Sequence, residues 1–133
     1  MSSLPEVKDA LYSHLLTLWA DKTPVVLDNE ANNGEPAEWI RAVIIPLDGA
    51  QTTLGRRGNR KYTRAGTIIV SVFTKRGVGS AQADKWAEEI RGMFEGNRVG
   101  PAWFLECEVR SIGEDGSYYQ VNVDCTFNYE EMK

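Results

Sequence analysis

Imidazole and thiol chemistry have little to work with in this sequence: it holds one histidine, His14, and two cysteines, Cys107 and Cys125. A single imidazole excludes a multi-histidine metal centre and leaves a histidine-based triad only His14. That residue falls on an apolar stripe, where a packed side chain with a local hydrogen bond is the ordinary role. Two cysteines so far apart make neither a disulfide framework nor a zinc site. Each sits among alternating apolar residues and reads as a small buried side chain. No apolar run approaches the ~20 residues of a membrane-spanning helix. Met1-Ser2-Ser3-Leu4-Pro5-Glu6 has no basic region followed by an apolar one, so no secretory signal is read there and cytoplasmic synthesis is expected.

Motifs that carry chemistry are missing too. A nucleophile elbow, G-x-S-x-G, does not occur. Gly49 and Gly55 have five residues between them and are followed by Arg56 and a strand, where a phosphate-binding loop needs four residues, a lysine and a helix. Asp28, Glu30, Asn32 and Gly34 miss the calcium-loop spacing, with the glycine one residue late. Glu88 and Glu89 fall on a polar helix face, Glu106 and Glu108 on a wet strand face, and Glu130 and Glu131 in a tail. Each pair reads as solvated charge, and nothing here raises an enzymatic reading above its starting level. Trp19, Trp86 and Trp103 fall on inward stripes and suit core packing. Trp39 follows a polar loop and is equally suited to an interface.

What is present is an ordinary globular composition. The 133 residues match one domain, and 42% hydrophobic with 26% charged residues suffice for a core without staples. Pro5 opens an amphipathic helix carrying Val7, Ala10, Leu11, His14, Leu15, Leu18 and Trp19, ending near Ala20. Val25-Val26-Leu27 is a short strand and 28–36 a polar loop. Glu38 to Pro46 is β-branched and reads as a strand closed by Pro46. Tyr62 to Thr74 is apolar on both faces, which predicts a central strand covered on both sides. Ser80 caps a second helix with Ala83, Trp86, Ala87, Ile90 and Phe94 inward and Gly96 at its end. Ala102 to Ile112 follows, with Trp103, Leu105, Cys107 and Val109 on one face. A turn at 113–117 leads to Tyr118–Tyr129, where Val121, Val123, Cys125 and Phe127 face in and Asn122, Asp124, Thr126 and Asn128 face out. The fold class is α+β: a mainly antiparallel or mixed sheet with two α-helices packed on one face.

One segment departs from that background. Residues 47–61 form a long glycine-punctuated loop, and Arg56, Arg57, Arg60, Lys61 and Arg64 place five cations within nine residues of a chain whose net charge is −4. Loops of this length in a small domain are usually functional or disordered. Arginines in such number suit carboxylates or phosphates, and Gly55 and Gly58 let the arm change shape on docking. These five residues are the candidate partner contact.

The whole chain resembles the phage tail terminators, the family of the lambda minor tail protein U. The resemblance rests on Leu27-Asp28-Asn29-Glu30-Ala31-Asn32-Asn33-Gly34-Glu35-Pro36, on Gly49 to Gly55 and Gly58 to Tyr62, and on Val72-Phe73-Thr74, Phe94-Glu95-Gly96 and Tyr129-Glu130-Glu131. It implies a homohexameric ring at the end of a tail tube, meeting the tube protein and a head-completion protein, made in the host cytoplasm and carried in the virion. It implies no cofactor, no metal and no catalysis. The basic loop would then dock on an acidic tube rim, or line the bore and meet the DNA backbone in transit. The alternative is a small nucleic-acid-binding module using residues 56–64. The acidic balance weighs against it.

Overall fold

The computed structural model describes residues 3–20, 22–27, 38–51, 61–75, 77, 81–115 and 118–132. Its elements are α1 (Leu4–Trp19), β1 (Val25–Val26), β2 (Trp39–Gln51), β3 (Lys61–Lys75), α2 (Ala81–Phe94), β4 (Arg98–Val99), β5 (Ala102–Asp115) and β6 (Tyr118–Met132). The strands form one sheet in the order β1-β2-β3-β6-β5-β4. Every pairing is antiparallel except the short parallel contact of β1 with β2.

Both helices pack on one face of this sheet, as the α+β reading expects. In α1 the buried residues Val7, Leu11, Leu15 and Trp19 recur at four-residue steps. Leu18, read as part of the stripe, is 48% exposed, because the buried strip is narrower than the full apolar pattern. Pro5 lies in the first turn, and the helix stops at Ala20, whose N–H still reaches the Leu16 carbonyl. In α2 the inward residues are Ala83, Ala87, Ile90 and Phe94, with Trp86 half-buried beside them. Gly96 follows at φ +72°, a left-handed conformation that glycine adopts without steric cost. Ser80 lies outside the described residues. The helices meet Ile40, Ala42 and Ile44 of β2, Ile68, Val70 and Val72 of β3, and Val121, Val123, Cys125 and Phe127 of β6 in one core.

β3 is central, with an unbroken register to β6 from Lys61↔Met132 to Lys75↔Tyr118. At Gly66 the core depends on a missing side chain. A Cβ there would stand 2.6 Å from Cζ of Phe127, so the phenyl ring lies directly over the glycine backbone.

Among the described residues no helix covers the second face of β3. Phe73 is buried there in a separate cluster with Val26 and Trp39, while Ile69 is only half-buried. The expectation of cover on both sides therefore holds only at the Phe73 end.

Four boundaries differ from the sequence reading. Pro46 does not close β2, which runs on to Gln51 through a register shift between Leu47 and Ala50. Ile40 donates its N–H outward to the Pro24 carbonyl. Strand alternation makes Pro46, six residues on, face outward too. Among the described residues no strand pairs with β2 there, so its missing N–H interrupts no ladder. Residues 47–51 and 61 are consequently strand; 52–60 lie outside the described residues.

In β5 the register shifts between Phe104 and Cys107. Ala102 and Phe104 face the core before the shift and Cys107 after it, whereas Trp103 is half-buried and Leu105 is 51% exposed. A simple alternation placed Trp103 and Leu105 inward, and the bulge reverses that phase. The same strand extends to Asp115, so Gly113 belongs to β5 and not to a turn. Arg98–Val99 adds a short edge strand that periodicity did not signal. Glu130 and Glu131, read as tail, belong to β6.

The bulge also explains Glu95. Its Oε2 accepts the N–H of Cys107 at 2.9 Å and the Arg91 Nε–H at 3.2 Å, tying the end of α2 to the distorted strand. Cys107 and Cys125 are direct cross-strand partners and are joined as a disulfide, which corrects the reading of two independent buried thiols. The pairing needed two strands brought into register, information that lies outside either strand's local pattern.

Candidate interaction surfaces

Of the five cations read as one contact, the structure describes Lys61 and Arg64. Arg56, Arg57 and Arg60 lie outside the described residues. Lys61 opens β3 opposite Met132. Arg64 lies within β3, its guanidinium 3.3 Å from Glu131 and 5.0 Å from the Tyr62 ring centroid. It is thus a half-buried sheet residue with a carboxylate partner. Burial, and then the nearby Glu131 carboxylate, raise the Tyr129 hydroxyl above its ordinary pKa, with Arg64 opposing.

The other singled-out residues fall into structural places. His14 Nε2 lies 2.9 Å from the Met93 carbonyl, its ring against Phe94, which joins the two helices. This is the packed role expected of it. Trp19 meets Trp86 edge-on and donates its indole N–H to Thr23. Trp39 is only 5% exposed, which removes it from the interface reading. It stacks on Phe73 at 4.1 Å, with Tyr118 edge-on and the Arg41 guanidinium over both stacked rings. Trp103 lies beneath the Arg98 guanidinium near the sheet edge, not in the core.

Glu95 is the described carboxylate most clearly held in its charged form. The Cys107 N–H and then Arg91 lower its pKa, while Glu95 raises that of Arg91. Its partners are structural. Among the described residues, no cluster of three or more acids, histidines or cysteines is arranged to hold a metal ion.

The surface with a distinct shape is the open face of the sheet. A groove of about 680 Å³ crosses it, with Leu47 of β2 and Leu105 of β5 as apolar walls and Thr67 and Thr126 on its floor. Glu106, Glu108 and Asp124 give it negative charge. Leu47 and Leu105 are 49% and 51% exposed, so the walls are available to a partner. The Asp124 Oδ2 accepts from Arg110, while its Oδ1 is buried without a hydrogen-bond donor among the described residues. Sequence reading took Glu106 and Glu108 as solvated charges on a wet face; it missed that they flank an apolar trough, because the trough is assembled from four strands.

Residues 6–127 match the phage tail terminator proteins. The chain belongs to the phage tail terminator protein family. It is a structural protein of phage tails. One solved chain, 19% identical, superposes over 100% of this protein and 99% of its own length with a TM-score of 0.73. A chain from the virion of a native gene transfer agent particle, 15% identical, covers 94% of this protein and 95% of itself with a TM-score of 0.55. At such identities the likeness is one of fold. No curated protein matches the sequence.

Proposed function

We propose that this protein caps the tail tube as a closed homohexameric ring, stopping tube polymerisation and presenting the surface that joins the head. The observation that carries the reading is membership of the terminator family across residues 6–127. The architecture supports it through its unlike faces: helices clothe one side of the sheet and leave the other open. A subunit with unlike sides makes head-to-tail contacts, and these close into a ring when the rotation permits. Ending a polymer requires one axial surface that accepts the tube and another that does not repeat it. Arg56, Arg57 and Arg60, with Lys61, supply a charged contact that fixes partner and register. Electron microscopy of growing tail tubes tests the proposal. Adding the protein is expected to shorten the tubes and place a ring on one end of each. Tubes whose lengths and ends are unaffected at saturating protein refute it.

A further inference from the structure

The open face of the sheet changes character from one side to the other. Direct pairing sets its rows. Val43 of β2 lies level with Ile69, Asp124 and Glu108, and Arg41 lies level with Ser71, Asn122 and Arg110. β2 and β5 thus border a four-strand face, with β3 and β6 between them. On β2 this face carries one cation, Arg41, and three apolar side chains, Val43, Ile45 and Leu47. On β5 it carries Leu105 and the acids Glu106 and Glu108. Ile45, Leu47 and Leu105 are 41%, 49% and 51% exposed. Apolar side chains gathered on one exposed face mark a contact surface. Among the described residues, Arg41 has no carboxylate partner and Glu106 and Glu108 have no cation. The Arg41 guanidinium lies over the Trp39 and Phe73 rings, and Arg110 is already held by Asp124.

We infer that two copies of this protein pair open face to open face, about a two-fold axis that runs along the strands between β3 and β6. Charge selects this arrangement. An axis along the strands exchanges β2 with β5, so the basic, apolar border of each copy covers the acidic border of the other. An axis across the strands would lay β5 on β5 and bring Glu106 and Glu108 against their own copies, which like charge disfavours. Sheets packed face to face stand about 10 Å apart with their strands within about 30° of each other. In that arrangement Ile45 of one copy lies over Leu105 of its partner, because both flank Thr67 and Thr126. Arg41 lies one row from Glu108 of its partner, about 7 Å along the strand at ~3.3 Å per residue and within the reach of an arginine side chain. The two-fold makes each contact twice. Such a pair is isologous and closed, unlike the head-to-tail contact proposed for the ring, so the inference goes beyond that reading.

Sedimentation equilibrium at low salt tests the pairing, with three variants at exposed positions, R41E, E108R and L105D. Circular dichroism melts identify which variants fold, and E108R and L105D test the contact even where R41E does not. The wild-type protein is expected to reach the mass of a dimer. Each variant alone is expected to dimerise at least tenfold more weakly, and added salt to weaken the wild-type dimer. An equimolar mixture of R41E and E108R is expected to regain dimers close to wild type, because each copy carries the change that the other needs. A wild-type protein that is monomeric at every concentration overturns the inference, as do larger assemblies that form without a dimer. E108R or L105D that dimerises like wild type overturns it too, and so does a mixture of folded R41E and E108R that associates no better than either alone.

Discussion

Replacing Gly66 by alanine puts the packing of the core to a direct test. The added Cβ would lie 2.6 Å from Cζ of Phe127 and 3.1 and 3.2 Å from its two Cε atoms. The ring has little freedom to yield: it is fully buried, with Phe104 at 5.3 Å and Tyr129 at 6.3 Å between centroids. Overpacking of this kind costs about 1–3 kcal/mol. For a chain of this size about 1 kcal/mol moves the Tm by roughly 3–5 °C, so a fall of about 3–15 °C is expected. Gly66 has no positive φ, so backbone strain does not enter. In open space the same substitution would stabilise by about 0.4–1 kcal/mol through loss of unfolded-state freedom, so the sign of the change decides the question. Gly92 in α2 is the control, since nothing lies within 4 Å of the place an added methyl would occupy. Alanine there is expected to stabilise by about 0.5–1 kcal/mol. Combining Gly66→Ala with Phe127→Leu should recover part of the loss, with a coupling of about 1 kcal/mol or more. Thermal and denaturant melts give all four values. A neutral or stabilising Gly66→Ala, or a strictly additive double variant, refutes the placement of Phe127 over the glycine.

Three further outcomes follow from the geometry. The Cys107 N–H and Arg91 depress the pKa of Glu95, so its contribution is present above the unfolded carboxylate pKa and is lost as pH falls through the folded value. Glu95→Gln should therefore flatten the acid limb of the stability curve while leaving its alkaline limb unchanged, and an unaltered acid limb in pH-dependent melts counts against this. Replacing Arg56, Arg57 and Arg60 together by alanine should alter stability by about 0–1 kcal/mol per residue, the usual range for surface charges, yet impair tail completion; normal virion assembly by that variant removes the segment from the contact. Trp39→Ala deletes the indole stacked on Phe73, and a loss of about 3–5 kcal/mol is expected for a buried large aromatic; a loss under about 1 kcal/mol in urea melts would mean that the Trp39–Phe73–Tyr118 cluster is not a folding unit.

Local pattern carried the element types. Three- and four-residue apolar steps marked α1 and α2, strict alternation marked β6, the density of β-branched residues marked β2 and apolar residues on both faces marked β3, because each signal arises within one element. The family resemblance was legible for a related reason: turn and loop punctuation stays readable along the chain even where no catalytic motif exists. The candidate contact was only partly legible. Charge density picked out Arg56, Arg57, Arg60, Lys61 and Arg64 together, whereas the pairing of Arg64 with Glu131 appears only once β6 lies beside β3.

The amino-acid order by itself determined the class, the placement of both helices and the inward face of β6, since these depend on interactions a few residues apart. Tertiary structure alone decided whether Pro46 ends its strand, because that depends on whether a neighbour occupies the outer edge. It also decided the phase of β5 after its bulge, the joining of Cys107 to Cys125, and the groove between Leu47 and Leu105. Each of these is set by which strand lies beside which. Pairing partners far apart in the chain are selected by the burial of the whole sheet, and no short window of residues contains that information.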